Sequence, residues 1–526
     1  MTILLLSRPA GEGRAPPNAP GMARPLRTLA AALVLALPAL AAVQADAKPR
    51  DCSRTAGGVD LQRATVLDLQ RAMASHRLTS VALTRAYLAR IAAYDHGPGH
   101  LNAVRLVNPH AVDEALARDA ERRHGTVRGP LHGVPVLLKD NVGTHDLPTT
   151  AGSIALAGAL PKKDADITAR LRAAGAVILG KTNLSEFANW VDLSMPNGYS
   201  SLGGQVVNAY TGGDPSGSSS GSGVAASMAF AAVTIGTETS GSILSPSDAN
   251  SAVGVKPTLG LASTAGIIPL APSFDVPGPI TRNVTDAAAV LAAIATKPDG
   301  YLAALRPGAL KGVRLGVPSA DNRPSGTRGQ VFDRALADLR RAGATLVETD
   351  LLGNAGIPSL AEIGLIPNEF KWSLDDYLAT ATRTSTGVKT LADVIAYNAK
   401  HPDKVKYGQN LLQASDATPG NGVLATAGAA PVRAQAQAAI DGALAADGLD
   451  AIVDLGPANA NVGAAAGYPT VIVPAGYTGD TPVGLAFTGT ARAERALLSY
   501  AFAYEQASHR RVPPTDLDPT LAPARC

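Results

Sequence analysis

Residues 133–141 have the sequence GVPVLLKDN, in which a short apolar run leads directly into a lysine. Consecutive apolar positions from Val134 to Leu138 are typical of a β-strand that is covered on both faces of its sheet. Such strands occur in domains that place helices on both sides of a central sheet. Lys139 follows the last apolar residue, so we expect its side chain to lie at the end of a buried strand.

Runs of the same kind recur along the chain and alternate with helical patterns. Further strands are predicted at 176–179, 232–235, 253–255, 313–317, 345–348, 451–453, 470–473 and 485–487. Apolar spacings of three and four predict helices at 65–75, 80–93, 108–123, 167–174, 224–232, 331–342 and 493–506. We interpret 53–125 as helical, and 355–430 as a partly helical insertion or cap that shapes the pocket. The alternation indicates the α/β fold class, with a layered domain around a large central sheet.

The bulk composition favours a globular protein that does not bind nucleic acid. Of the 526 residues, 46% are apolar and 17% are charged, which suits a folded chain. The formal net charge is only +3, and the sequence has no basic stripe with interleaved aromatic residues. The composition therefore indicates neither nucleic acid nor an anionic membrane surface as a partner.

The N-terminal segment 1–47 has the features of a secretory signal peptide. Two arginines precede an apolar run at 29–40, and the small residues within 45–47 suit cleavage before Lys48. A run of about 12 residues is too short to span a bilayer. Residues 1–21 look like an additional extension, because a second methionine follows them. We therefore expect an exported protein, periplasmic or extracellular, without stable membrane association after cleavage; a retained hydrophobic anchor is the alternative.

The chain has two cysteines, Cys52 and Cys526. One lies close to the start of the expected mature chain, and the other is its last residue. In an oxidising compartment they could form a disulfide that joins the two ends of the domain, since domain termini often lie close together. Two free thiols are the alternative. Two cysteines are too few for a zinc site built from cysteines.

Two serine-containing segments follow the lysine along the chain. Residues 217–223 read GSSSGSG and lead into an apolar helix, and residues 237–243 read TETSGSI. A serine hydroxyl is a weak nucleophile and needs a base. Histidine is the usual base, and His132 and His145 flank the first predicted strand. Ser219 fits the Gly-x-Ser-x-Gly pattern of hydrolases that use a histidine, although a run of serines and glycines matches it easily.

Lys139 is the other candidate for the base, and it can act only in its neutral form. The pKa of a free lysine is about 10.4, and burial among apolar residues lowers it towards the working range. Asp140 is adjacent and could pair with the ammonium, which would keep it protonated. Ser242 is the candidate nucleophile, and backbone N–H groups just before it could form an oxyanion hole. These groups belong to Thr239, Ser240 and Gly241.

Segments distributed along most of the chain resemble the amidase signature family. The matching stretches, in order, are 129–135, 181–187, 216–222, 254–260, 278–282, 467–469, 473–476 and 482–485. The resemblance implies a single large α/β/α layered domain with a mixed central sheet, which we place at 53–515, followed by a tail at 516–526. It also implies a Ser–cis-Ser–Lys triad, formed by Ser242, Ser218 and Lys139, with a cis peptide bond before Ser218.

The activity that the resemblance implies is hydrolysis of an amide through an acyl-enzyme, without a metal or a cofactor. The substrate would be a small-molecule or peptide amide. Within the family, the triple serine and residues 369–371 are most similar to peptide amidases, which remove the C-terminal amide of peptides. Ser240, Leu244 and Asp248 depart from the family pattern. Ser240 puts the substrate preference in doubt, and a buried Asp248 could perturb the lysine.

The sequence also allows other functions. A broad-specificity amidase or an aryl acylamidase acting on small amides is the second enzymatic hypothesis. The family also includes a subunit of the glutamyl-tRNA amidotransferase, but a signal peptide argues against a cytosolic tRNA complex. A catalytically silent binding protein is the alternative from another class, and it would be marked by the loss of a triad residue.

Overall fold

The computed structural model of the protein describes residues 54–96, 100–349, 356–357, 360, 364–518 and 521. The predicted signal peptide at 1–47 lies outside these residues, as do Cys52 and Cys526. The predicted cleavage and the predicted disulfide therefore stay predictions.

A single mixed sheet of 11 strands forms the centre of the domain. The remaining strands pair in two-stranded ribbons. The strands, in chain order, are β1 (Thr55–Ala56), β2 (Val59–Asp60), β3 (Val104–Val107), β4 (Pro135–Lys139), β5 (Leu160–Pro161), β6 (Val177–Thr182), β7 (Tyr199–Ser200), β8 (Gly204–Gln205), β9 (Val233–Glu238), β10 (Val253–Lys256), β11 (Val276–Thr281), β12 (Arg314–Val317), β13 (Thr345–Glu348), β14 (Thr382–Arg383), β15 (Ala451–Leu455), β16 (Thr470–Thr478) and β17 (Thr481–Thr488).

Helices surround this sheet, as expected for an α/β protein. They are α1 (Val66–Ala74), α2 (Ser80–Arg90), α3 (Ala111–Arg123), α4 (Asp166–Ala173), α5 (Ser220–Ser227), α6 (Leu244–Ala249), α7 (Val284–Ile294), α8 (Tyr301–Ala304), α9 (Gly326–Arg341), α10 (Leu365–Thr380), α11 (Leu391–Ala399), α12 (Asn410–Asp416), α13 (Gly422–Ala446), α14 (Ala460–Ala466), α15 (Glu494–Ser508) and α16 (Pro514–Leu517). Among the described residues, no helix combines the length and the apolar composition that a bilayer crossing needs.

The strand order of the central sheet is β13-β12-β15-β17-β16-β10-β11-β9-β4-β6-β3. The position of β4 in this order brings the candidate site together. β4 is parallel to both of its neighbours, β6 and β9, whereas β11 is antiparallel to β9. The carboxyl ends of β4, β6 and β9 therefore lie at one edge of the sheet, and side chains that follow these strands can meet there. The α/β class and the mixed central sheet are confirmed, and the predicted strand at 134–138 corresponds to β4.

Two regions differ from the sequence-based expectation. The segment 53–125 is not helical throughout, because Val104–Val107 forms the edge strand β3 and pairs with β6. β11 was not predicted at all. Its two prolines, Pro277 and Pro279, remove backbone donors and argue against an inner strand. In the structure both prolines lie among the five positions in register with β9, whereas the two positions in register with β10 are Ile280 and Thr281, so neither proline is opposite a β10 residue.

A second hydrophobic cluster, separate from the one that packs on the sheet, holds α10 in place. It includes Phe370 and Leu374 of α10 together with Ile268, Leu270 and Phe187. The rings of Phe187 and Phe370 meet edge to face, with centroids 5.6 Å apart. This cluster fixes α10 against the segment that follows β10, and the two together form the walls of the cavity described below.

Candidate active site

Lys139 and the serine of the first glycine-rich segment meet at the carboxyl end of β4. The Lys139 Nζ atom lies 2.8 Å from Ser218 Oγ. It also lies 3.0 Å from Thr237 Oγ1 and 3.3 Å from the Thr237 carbonyl oxygen. Thr237 is near the end of the parallel strand β9. The structure therefore joins two predicted site residues that are 79 positions apart in the chain.

The Lys139 amine is completely buried, with an exposed fraction of 0%. Burial lowers the pKa of Lys139 to about 7, and the carboxylates of Asp275 and Glu238 act in the opposite direction. Removal from water disfavours the ammonium form, so a large fraction of this amine is neutral near pH 7. The neutral amine is the form that can accept a proton.

Asp140 is engaged away from Lys139. The Arg105 Nε atom lies 2.5 Å from Asp140 Oδ2, and the Thr150 hydroxyl donates to the same carboxylate oxygen. Successive strand residues point to opposite faces, so neighbours in sequence do not share partners here. The possible ion pair between Asp140 and Lys139 is therefore not formed.

The serine run at 217–223 is anchored to β9 and to the second serine segment. The Gly217–Ser218 peptide bond is cis, as the resemblance implies. The Ser219 N–H donates to the Ser242 carbonyl oxygen at 3.2 Å. The Ser219 hydroxyl donates to the Thr237 carbonyl at 3.0 Å and accepts from the Thr237 N–H at 3.2 Å. Ser219 is thus used to hold backbone segments together, which argues against it as a nucleophile.

Ser242 lies in the turn between β9 and α6, and a buried glutamate holds that turn. The Glu238 carboxylate accepts from the N–H groups of Ile243 at 2.7 Å and Leu244 at 3.0 Å. Burial raises the pKa of Glu238, while these N–H groups and that of Gly241 lower it. Gly241 has φ of +83°, a conformation that glycine adopts without strain. No sequence pattern predicted a role for Glu238.

The three predicted oxyanion donors have different surroundings. Thr239 is buried, and its hydroxyl donates to Asp275 Oδ1 at 2.5 Å. Ser240 is exposed. The Gly241 N–H already interacts with the Glu238 carboxylate. The N–H groups of Thr239 and Ser240 are therefore the better candidates, and the oxyanion hole stays a prediction.

Two other lysines are buried among the described residues, but they contact different groups. Burial lowers the pKa of Lys181 to about 7 and that of Lys256 to about 8. Lys181 donates to the Val142 carbonyl and to Thr149 Oγ1. Lys256 donates to the Tyr468 carbonyl at 2.6 Å. Burial alone therefore does not identify the base; contact with the Ser218 hydroxyl distinguishes Lys139.

The two histidines considered as alternative bases are engaged elsewhere. His132 Nε2 lies 3.1 Å from the Arg118 carbonyl, before the start of β4 rather than after its end. His145 pairs with Asp164 at 2.9 Å on the surface. Neither histidine contacts Ser242 or Ser219, so the structure gives no support to a Ser-His-Asp arrangement among the described residues.

A cavity of about 280 Å³ reaches Thr237, whose hydroxyl contacts the buried Lys139, but Lys139, Ser218 and Ser242 are not among the residues that line it. Asn141, Thr237, Thr239 and Asp275 line its polar side. Its other walls come from the segment that follows β10 and from α10, and they include Ile267, Ile268, Leu270, Trp372, Ser373, Tyr377 and Thr380. The expectation that 355–430 shapes the pocket is confirmed through α10.

Asp248 departs from the family pattern and could have perturbed Lys139. Its carboxylate has another role in the structure. Its Oδ1 accepts from the Gly484 N–H at 2.6 Å. Burial raises the pKa of Asp248 to about 6, and Arg328 is the charge that opposes this rise. The carboxylates that act on Lys139 are instead those of Asp275 and Glu238.

One cluster of possible metal ligands occurs among the described residues, formed by His145, Asp146 and Asp164. The Arg172 guanidinium lies 2.7 Å from Asp146 and 3.1 Å from Asp164. It supplies the positive charge that these carboxylates would otherwise take from a cation, so the cluster is explained as an ion-pair network.

Known proteins that are similar to this chain include amidases. The family model described as Amidase matches residues 82–418. The chain belongs to the amidase signature family. It is 40% identical to a probable amidase of Arabidopsis thaliana over 489 residues, which cover 88% of this chain and 93% of that protein.

Two solved structures extend the comparison. Native peptide amidase from Stenotrophomonas maltophilia superposes on this amidase with a TM-score of 0.80 and 42% sequence identity, over 86% of this chain and 98% of that one. An amidase family protein from Bacillus anthracis superposes with a TM-score of 0.82 and 36% identity, over 86% of this chain and 92% of that one. The fold and serine amidase-type hydrolysis of amides follow from these relationships.

Several site residues of this amidase were not identified from its sequence. Thr237, Glu238 and Asn141 lie inside the recognised segments 237–243 and 133–141, so their closeness in sequence to Ser242 and Lys139 was the available signal. Asp275 lies in a loop before the unpredicted strand β11, and nothing in the local pattern marks it. Its importance comes from its contact with Thr239.

Proposed function

We propose that the protein hydrolyses carboxamides with Ser242 as nucleophile, Ser218 as proton relay and Lys139 as base. The observation that carries this proposal is the 2.8 Å contact between the Ser218 hydroxyl and the Lys139 amine. The pKa of that amine is lowered to about 7 by burial. A base with such a pKa is half neutral at neutral pH and can still return the proton.

In the first half of the reaction, Ser242 Oγ forms a bond to the carbonyl carbon of the amide. Its proton passes to Ser218, and the Ser218 proton passes to Lys139. The N–H groups of Thr239 and Ser240 would stabilise the oxyanion. When the C–N bond breaks, the leaving nitrogen takes a proton from Ser218, which regains one from the Lys139 ammonium.

In the second half, a water molecule takes the position that the leaving amine occupied. Its proton follows the same relay towards Lys139 while its oxygen attacks the acyl carbon. Ser242 Oγ then leaves the carbonyl carbon and regains a proton from the Lys139 ammonium through Ser218, and the carboxylic acid is released. All of these proton transfers use side chains of the chain itself.

We propose the C-terminal amide of a peptide as the substrate. The cavity has apolar walls from α10 and from 267–270, which suit a side chain of such a peptide, and a polar end that includes Thr237, the residue whose hydroxyl contacts Lys139. The structural relative peptide amidase has been solved with the competitive inhibitor chymostatin. Both observations support a peptide-like ligand over a very small amide.

The test is a comparison of substrates on the purified protein. We expect ammonia release from a peptide amide to be faster than aniline release from an anilide of the same acyl group. Ser242→Ala should abolish both reactions. Ser247→Ala is the matched control, because this buried serine donates only to the Ile243 carbonyl within its own helix, at 2.7 Å. Preference for the anilide would instead favour an aryl acylamidase.

We also propose that the protein is exported and that Cys52 pairs with Cys526. Arg54 Nη1 lies 2.5 Å from Asp516 Oδ1, so the two ends of the described domain are close together, which supports the pairing. N-terminal sequencing of the secreted protein should begin at Lys48. Titration of thiols in denaturant should find none before reduction and two afterwards; two thiols before reduction would refute the disulfide.

A further inference from the structure

Asn141 has a buried acceptor for which the described residues provide no partner. Its side chain is 4% exposed. Its Nδ2 donates to Thr237 Oγ1 at 2.9 Å, while its Oδ1 accepts no hydrogen bond from the described part of the chain. An unsatisfied buried polar atom is costly and therefore needs an explanation. A ligand is a sufficient explanation when the atom faces a binding site.

Asn141 lines the cavity that reaches Thr237. Asn141 and Lys139 are two positions apart, and both donate to Thr237 Oγ1. This hydroxyl therefore links the Asn141 amide to the amine that contacts Ser218. The leaving nitrogen of a substrate must come within reach of Ser218 to receive its proton. Because only the Thr237 hydroxyl separates Asn141 from Lys139, we expect that nitrogen on the Asn141 side of the cavity.

Three other polar groups in the cavity wall, those of Asp275, Trp372 and Tyr377, are less suited to receive an N–H from the substrate. The Asp275 oxygens are already used, Oδ1 by the Thr239 hydroxyl and Oδ2 by the N–H groups at 270 and 271. Trp372 Nε1 is also without a partner in the described chain, but it can only donate. The Tyr377 hydroxyl is unpartnered as well, and it can donate or accept. Asn141 supplies an acceptor that cannot act as a donor.

We infer that Asn141 Oδ1 accepts a hydrogen bond from the N–H of the scissile carboxamide, and that Asn141 thereby makes the enzyme select amides over esters. This inference rests on the proposed function, because it uses the same cavity and the same leaving group. An ester oxygen has no hydrogen to donate and leaves the Asn141 oxygen unsatisfied. A site built to bond an N–H rejects an analogue that lacks it.

The test compares a peptide amide with the methyl ester of the same peptide in wild type and in Asn141→Ala. We expect kcat/KM for the amide to fall about 3- to 10-fold more than kcat/KM for the ester, the range that corresponds to one neutral hydrogen bond. The readout is the amide-to-ester ratio within one enzyme preparation. Any loss of folded protein affects both substrates equally and cancels.

The variant Thr237→Val distinguishes recognition of the substrate N–H from positioning of Lys139 and Asn141. It removes the hydroxyl that contacts both Lys139 and Asn141, so we expect it to lower the two reactions in similar proportion. An amide-to-ester ratio in Asn141→Ala equal to that of wild type would overturn the inference while leaving the amidase function standing. A wild-type protein that hydrolyses neither substrate would overturn both.

Discussion

Amide hydrolysis should follow the deprotonation of Lys139, with half of the maximal rate near pH 7. The pKa of Lys139 is lowered from 10.5 to about 7 by burial. At about 1.36 kcal/mol per pKa unit, this difference corresponds to about 5 kcal/mol in favour of the neutral amine. The amine is then about 1% neutral at pH 5 and about 90% neutral at pH 8.

The assay is kcat/KM for a peptide amide measured from pH 5 to pH 10, since this parameter reports ionisation of the free enzyme. We expect a rise of about 90-fold between pH 5 and pH 8, followed by a plateau. An unperturbed lysine would give a rate that still increases tenfold per pH unit above pH 8. That second profile would refute the proposed role of burial at this site.

A variant can show that the rising limb, the part of the pH profile in which kcat/KM increases, reports Lys139 rather than another buried lysine. The Asp275 carboxylate raises the pKa of Lys139, whereas the charges that act on Lys181 and Lys256 belong to other residues. Asp275→Asn should therefore move the limb to lower pH. A limb that stays in place would mean that a different group controls the rate.

Three further outcomes are expected. Ser242→Ala should retain the wild-type circular dichroism spectrum and lose activity by about 10⁴-fold or more, because it removes the nucleophile; substantial residual turnover would disprove its role. Lys139→Met should be more stable than wild type below pH 7, because wild type buries a charged amine at a cost in free energy. This gain should vanish as pH rises from about 7 to 10.5, where the wild-type lysine becomes neutral in both the folded and the unfolded state. A gain in the free energy of unfolding that does not depend on pH would contradict this. Tyr377→Ala should raise KM for peptide amides severalfold with a smaller change in kcat, because it removes part of the cavity wall contributed by α10; an unchanged KM would place the peptide elsewhere.

Local patterns were sufficient for much of the fold. The strand β4 was predicted from five apolar residues because a strand buried on both faces has no polar positions. The edge strand β3 was missed because Val104–Val107 is short and follows two helices, and its pairing with β6 is a contact between distant parts of the chain. β11 was missed because Pro277 and Pro279 conflict with the rule for inner strands, and only the pairing registers with β9 and β10 resolve that conflict.

The candidate site likewise combines residues that the sequence predicted with contacts that only the structure shows. Lys139 and Ser242 were predicted from the end of an apolar strand and from a glycine-rich turn, and Ser218 from the resemblance to the amidase signature family; the structure brings Lys139 and Ser218 into contact. The partner of Asp140 could not be identified in this way. Its carboxylate could have paired with the adjacent lysine, and the choice of Arg105 depends on which face of β4 each side chain occupies and on what packs against that face.

The sequence by itself determined which chemical groups are present and where the strands and turns that carry them lie. The tertiary structure decided the protonation of Lys139, the support of the Ser242 turn by Glu238, and the wall that α10 adds to the cavity. The physical reason is the separation along the chain over which each interaction acts. Strand and turn preferences act over a few neighbouring residues, whereas desolvation and ion pairing depend on atoms that only the folded chain brings within a few ångströms.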